Sequence, residues 1–202
     1  MLNPFKKSPV EFGQFELLEF RTITLNDRVD QQFIAWSRIY EYPIVLDMMS
    51  KYEADNNLKI HNTSWGFKGC HITFKNILES KFSEVTNSDI LKSKESNTTV
   101  WDITKFPPSE FINAFDVVLN VSTVEEVKSD HLGIFKNLFD QVKSGGLLII
   151  TFDLPGLQIK KFEKLFGKKI LSSDMNIDGS NSMNPTPKYK HLNCGIIVLR
   201  KG

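Results

Sequence analysis

The sequence predicts an α/β protein, a mostly parallel sheet with helices on both faces. Three observations carry this. From Leu58 onward, short apolar runs alternate with amphipathic segments, the pattern of strand–helix crossover units. Two of the runs, "FDVVLNV" and "LLIITF", are almost wholly apolar, as strands buried on both faces are. The chain before Leu58 follows another pattern, with apolar residues at helical spacing.

That first part, residues 1–57, is expected to form a helical cap on a second unit, residues 58–202. Phe33, Ile34, Trp36, Ile39 and Tyr40 mark one helix, and Ile44, Val45, Met48 and Met49 another. Pro43 is expected to separate the two, because proline lacks the amide that continues a helix and is favoured at a helix start. "LKIHN" then reads as a strand and "GCHITFKNILESKF" as a helix with Ile72, Ile77 and Leu78 on one face. "SEVTNSDI" and "TTVWDI" are short strands, the second followed by the breaker Pro107-Pro108. After "FDVVLNV" comes the amphipathic helix "HLGIFKNLFDQVK", which "SGG" is expected to stop, and then "LLIITF". The helix "LQIKKFEKLFG" is followed by two last strands, "KKIL" and "CGIIVLR", joined by a long polar stretch without helical pattern. These two are expected to lie antiparallel at one end of a seven-stranded sheet.

Composition excludes several classes. Of 202 residues, 41% are hydrophobic, and Lys+Arg 25 against Asp+Glu 24 leaves a net charge of +1. No charge excess asks for nucleic acid or an anionic membrane. No window reaches the roughly 20 apolar residues of a membrane span, and the N-terminus lacks a signal-peptide core, so a cytoplasmic protein is expected. Cys70 and Cys194 are too few for a disulfide framework or a thiolate zinc site, and both read as inert core thiols. No His or acidic pair has metal-ligand spacing, so no metal is expected.

In a doubly wound sheet, ligands bind beyond the carboxyl ends of the strands where strand order reverses. The first strand is followed by "NTSWGFKG", whose small residues let backbone approach a ligand ahead of a helix N-terminus. Asp89 closes the second strand, well placed for a ribose diol. Asp102, beside Trp101, follows the third and suits an exocyclic amine, and Asn120 and Ser122 follow the fourth. Each has a plainer reading: a turn, a capping acid, or an aromatic residue used for packing. Their order and spacing together carry the weight.

That ordered set resembles the class I S-adenosylmethionine-dependent methyltransferases, over about residues 58–202. "VTNSDI" is similar to the end of that family's second strand, "VWDITKFPPSEFINAFDVVLNVSTVEEV" to its next stretch, and "IFKNLFDQVKSGGLLIITFDLPG" to the helix, Gly-Gly turn and fifth strand that follow. "WSRIYEYPIVLDMM" resembles lead-in segments of some bacterial members. The resemblance implies a Rossmann-like fold, S-adenosylmethionine as cofactor, and a cofactor set of Asn62, Ser64, Gly66, Gly69, Asp89, Asp102 and Asn120. It implies methyl transfer to a small-molecule or glycan-type acceptor.

The opening loop departs from the family pattern. Asn62 stands where an acid is usual, Ser64 replaces the first glycine, Gly66 keeps the second, and Gly69 lies one step past the third. Ser64 is tolerable where the backbone keeps a negative φ, and Trp65 either lines the pocket or fills it. On the acceptor side, Glu125, Glu126 and His131 follow the fourth strand, and Tyr189 and His191 come from the polar stretch. For these, a solvated helix start or a packing role competes with function, and no catalytic base is assigned. Two other readings stay open: a binding or scaffold protein that keeps the fold, and a nicotinamide-dependent oxidoreductase.

Overall fold

The computed structural model describes residues 11–23, 27, 30, 33, 37–52, 57–66, 69–93, 98–171 and 193–202. The strands are β1 (Phe15–Thr22), β2 (Lys59–Thr63), β3 (Glu84–Asp89), β4 (Thr98–Val100), β5 (Phe115–Val121), β6 (Val142–Leu154) and β7 (Asn193–Lys201). The α-helices are α1 (Arg38–Tyr52), α2 (Cys70–Lys81), α3 (His131–Phe139) and α4 (Ile159–Phe166). One seven-stranded sheet has the order β1-β7-β6-β5-β2-β3-β4. β4, β3, β2, β5 and β6 are successive parallel neighbours, and β7 runs antiparallel to both β6 and β1. This is the expected Rossmann-like arrangement.

Alternation along the central strands builds two cores. Val117, Leu119 and Val121 of β5, with Leu147 and Ile149 of β6, join Ile44, Val45 and Met48 of α1 and Phe74 and Leu78 of α2. On the other face, Val118, Leu148, Ile150 and Phe152 meet Ile134, Phe135 and Leu138 of α3 and Phe162 of α4. Successive side chains of a strand point to opposite faces, so apolar residues at consecutive positions serve both layers. Gly167, at φ +61°, closes α4 in the left-handed conformation.

Four expectations change. The N-terminal part supplies a helix, α1, but residues 15–22 form the edge strand beside β7 rather than part of a helical cap. A bulge between Leu17 and Glu19 shifts the β1 register and breaks the strand's period-two pattern. Because β1 holds the place beside β7, "KKIL" is not a strand there: Leu171 makes only an isolated parallel bridge to Arg21.

Pro43 lies inside α1 without ending it. A residue at 43 would normally donate to the carbonyl of Ile39. That carbonyl instead accepts the amide of Asp30 at 3.0 Å, so the gap in the helix ladder is filled from outside. Residues 34–36, part of the expected earlier helix, lie outside the described residues.

"SGG" falls within β6, and α3 ends earlier, at Phe139. Phe115 pairs with Val142 while Val117 pairs with Leu147, so β6 carries extra residues there and Gly145 takes φ +80°. A Cβ on Gly146 would fall 2.5 Å from the Asp116 carbonyl oxygen, closer than backbone tolerates. Gly146→Ala is therefore expected to destabilise the protein by about 1–3 kcal/mol, as overpacking at a tight contact does. Urea unfolding measures it, and an unchanged midpoint would contradict the stated register.

Candidate functional site

Strand order reverses between β2 and β5: the chain leaves β2 toward β3 and β4, then returns to β5 on the other side. Beyond the carboxyl ends of these two strands lies a cavity of about 290 Å³. Asn62 to Gly66 line one side, Val121, Ser122, Thr123 and Glu126 another, and Arg38, Tyr42, His71 and Phe74 the helical side. This is where a doubly wound sheet offers a crevice.

Sequence-predicted residues meet here. Asn62 is buried, and its Nδ2 donates to Asn87 Oδ1 at 2.9 Å. Asn87 donates to Glu79, which is ion-paired with Lys75, whose Nζ lies 5.7 Å from the centre of the Trp65 ring. Trp65 is itself buried and forms part of the wall. Asp89 stands beside the loop, with Oδ2 accepting the Gly66 amide at 3.4 Å and Oδ1 the Leu91 amide at 3.0 Å. Gly66 has φ +81°, and a Cβ there would meet the His71 ring at 3.0 Å. Gly69, at φ +53°, precedes α2.

Ser64 departs from its expectation, because its φ is +53°. Ser122, closing β5, is also left-handed, at φ 42°. A side chain in that region costs roughly 1–2 kcal/mol. Both residues line the cavity, one from each side of the switch point, and strained backbone of this kind clusters at functional sites.

Asn120 lies behind the cavity wall. Its Nδ2 donates to Thr63 Oγ1 at 2.9 Å, and Thr63 donates to the Leu119 carbonyl at 2.8 Å. Asn120 Oδ1 is buried without a hydrogen-bond partner. Deeper in β2, His61 is bonded to Gln141 Oε1 at 2.6 Å and Ser88 Oγ at 2.7 Å. The Gln141 carbonyl oxygen only accepts, so His61 Nδ1 carries the proton and Nε2 accepts from Ser88. Burial holds this imidazole down to about 4, against the Gln141 hydrogen bond.

The helical side was not foreseen. Glu41 of α1 has no exposure, and its carboxylate accepts from Ser37 Oγ, Arg38 Nη1 and Ser122 Oγ. Burial works to raise the Glu41 carboxyl, but the Arg38 charge and the Ser122 and Ser37 donors outweigh it and hold it low. Ser122 Oγ also lies 3.4 Å from Asp153 Oδ1. Burial, reinforced by the Glu41 charge, pushes Asp153 up to about 8. Glu125 accepts the Asp153 amide at 2.8 Å through Oε1; burial and then the Asp153 charge push it well above the ordinary range. Tyr42 Oη is hydrogen-bonded to His71 Nδ1, and its ring stacks on Phe74 at 4.0 Å. Asp153 was legible, as the acid closing the apolar run "LLIITF". Glu41 was legible as a charge among the apolar residues of "YEYPIV".

Other candidates fall elsewhere. Asp102 does not line the cavity, and its Oδ1 accepts the Thr104 amide at 2.9 Å and hydroxyl at 2.8 Å, closing its own turn. His131 is buried between Val127 and Gln158, with Nε2 bonded to a carbonyl and Nδ1 accepting an amide, which is a packing role. Glu126 lines the cavity while its neighbour Glu125 turns inward. Cys194 is buried and Cys70 half-buried. Tyr189 and His191 lie outside the described residues. Among the described residues, no group of His, Cys, Asp and Glu has a metal-binding arrangement, and no helix is long and apolar enough to cross a membrane.

No family model matches the sequence, and no curated protein matches it. Solved structures do match. The trans-methyltransferase CalH, in complex with S-adenosylhomocysteine, aligns with TM-score 0.52 at 14% identity, over 80% of this chain and 55% of that one. The chain thus spans just over half of that protein's length. The [4+2]-cyclase SpnF aligns with TM-score 0.52 at 12% identity, over 91% of this chain and 87% of that one. These likenesses show the fold, that of the class I methyltransferases.

Asp153 and His61 impose opposite pH dependences. The folded value of about 8 for Asp153 lies above its ordinary 3.8, so the stability this gives is present below 3.8 and lost as pH rises through 8. His61, lowered from 6.5 to about 4, gives stability present above 6.5 and lost as pH falls through 4. Asp153→Asn removes only the first. The unfolding free energy of the variant minus that of the wild type is expected to rise from about pH 4 to 8. Urea titrations across that range measure it, and a flat difference would contradict a proton held at Asp153.

Proposed function

We propose that the chain is an S-adenosylmethionine-dependent methyltransferase acting on a small-molecule or glycan-type acceptor in a cytoplasmic setting. One observation carries this: a polar cavity at the switch point, walled by Asn62, Ser64 and Gly66, with the Asp89 carboxylate against the Gly66 amide. The residues fit such a cofactor. Asn62, Ser64 and Gly66 would hold its amino-acid half, Gly69 would open α2 beside it, and Asp89 would take the ribose hydroxyls. Asp102, through the oxygen its turn leaves over, would receive the adenine amine. Asn120, with its unpartnered Oδ1, braces the floor.

The bound cofactor supplies a methyl group on a sulfonium, which passes in line to the acceptor while the sulfur keeps the electron pair. The chain's task is alignment, because effective molarity supplies much of the rate in such a displacement. Buried Trp65 and the stacked Tyr42–Phe74 pair exclude water from that line. Asn62 gives a hydrogen bond where the family pattern gives a charge, so the loop itself offers a weaker hold on an ammonium.

A second reading is a binding or scaffold protein that keeps the fold. The strained Ser64 and the large Trp65 in the cofactor loop favour it. Calorimetric titration with S-adenosylmethionine and S-adenosylhomocysteine separates the two, with Asp89→Ala as control. Methyl transfer predicts micromolar binding of both, reduced about tenfold or more in the variant by loss of a charge-assisted contact. No heat at millimolar ligand from folded protein would leave the scaffold reading.

A further inference from the structure

We infer that the chain carries a second ligand site, an apolar slot at the junction of β6 and α4. It takes the tail of a single-chain amphiphilic anion, while Lys160 and Lys161 receive the head. The site is separate from the switch-point cavity and does not depend on the cofactor reading.

The slot is a cavity of about 370 Å³ walled by Leu154, Pro155, Leu157 and Ile159, with Lys160 and Lys161 also lining it. Leu154 and Leu157 are buried and belong to the core beneath α3 and α4, so the slot is backed by packed apolar side chains. Its backbone is pinned. The Leu157 amide donates to the Asp153 carbonyl at 3.4 Å, the Ile159 amide to the Leu157 carbonyl at 2.7 Å, and the Gln158 amide to His131 Nδ1 at 3.2 Å. A preformed apolar concavity is the usual form of a small-ligand site, and this volume, at the low end for such sites, suits one short chain rather than a two-chain lipid.

The charge beside the slot selects the sign of the head. The whole chain has a net charge of +1, yet residues 159–169 carry five lysines, all exposed, against one acid, Glu163. Lys160 is paired with Glu163 at 3.0 Å and Lys161 with Asp130 at 2.9 Å. Exposed pairs of this kind contribute little, so either ammonium can turn to a ligand anion at small cost. Glu125 packs where a Cβ on Gly156 would fall, 3.2 Å away. Burial and then the Asp153 charge hold it well above the ordinary range, so it adds little negative charge near neutral pH. Lysine stems extend an apolar surface and carry the ammonium to its edge, which matches an apolar tail ending in an anionic head.

The competing account is that the lysines only solvate α4 and the slot is a gap in packing. Octanoate, octylamine and acetate separate the two, because octylamine reverses the charge near neutral pH and acetate removes the tail. Each is titrated into isotope-labelled full chain, and amide shifts are followed by NMR. The site predicts saturable octanoate shifts centred on residues 154–161, octylamine weaker by about tenfold or more, and no saturation with acetate. Lys160→Gln combined with Lys161→Gln should weaken octanoate about fivefold or more. Ile159→Trp, which fills the slot, should abolish its binding, with thermal melts confirming that both variants are folded. Equal binding of octanoate and octylamine, shifts centred on the Asn62–Gly66 loop, or octanoate binding unchanged in both variants would overturn the site. Binding to anionic vesicles without binding of octanoate would also overturn it and assign the lysines to a membrane surface.

Discussion

The arrangement depends on one buried carboxylate. Glu41 has no contact with solvent, and taking such a charge out of water costs several kcal/mol unless it is paired and hydrogen-bonded. Three donors meet that requirement, and they come from different parts of the fold: Ser37 and Arg38 from α1 and the residue before it, Ser122 from the end of β5. The bond to Ser122 ties the N-terminal helix to the sheet at the switch point. Together with the core packing of Ile44, Val45 and Met48, it sets the helical wall of the cavity, while Glu41 and Ser37 orient the Arg38 guanidinium. The same contact helps to hold Ser122 in left-handed backbone, which a serine reaches only when its surroundings fix it.

A second set of buried polar groups supports the other wall. The chain from Asn62 through Asn87 and Glu79 to Lys75 links β2, β3 and α2, and His61 joins β2 to Ser88 and Gln141 beneath them. Satisfied networks of this kind rigidify a core and fix one arrangement. The cavity therefore lies between two polar braces, with small or strained backbone at Ser64, Gly66 and Ser122 where a ligand would approach. Rigid walls with close backbone suit the alignment of bound groups.

The parallel strands were legible because they are buried on both faces, which leaves apolar runs such as those of β5 and β6 that need no partner to be recognised. That Asn62, Ser64 and Gly66 gather at the cavity, with Asp89 beside them, was legible because residues that follow the strands of a doubly wound sheet meet at its switch point. Other features were written in tertiary contacts. The bulge at Leu17–Glu19 hides β1 by putting its apolar residues on both faces, and the continuity of α1 through Pro43 depends on an amide nine positions from the carbonyl it serves. The positive φ of Ser64 has no mark in residue type. Asp153 and Glu41 did leave marks, an acid after an apolar strand and a charge on an apolar helix, but their partnership through Ser122 exists only in the folded chain.

The proposed place of the ligand is the cavity between β2 and β5, closed by α1. A crystal structure with S-adenosylhomocysteine tests it most directly. Ligand density is expected between the Asn62–Gly66 loop and Ser122, with the ribose toward Asp89. Density at another face of the sheet, with this cavity filled only by solvent, would contradict it.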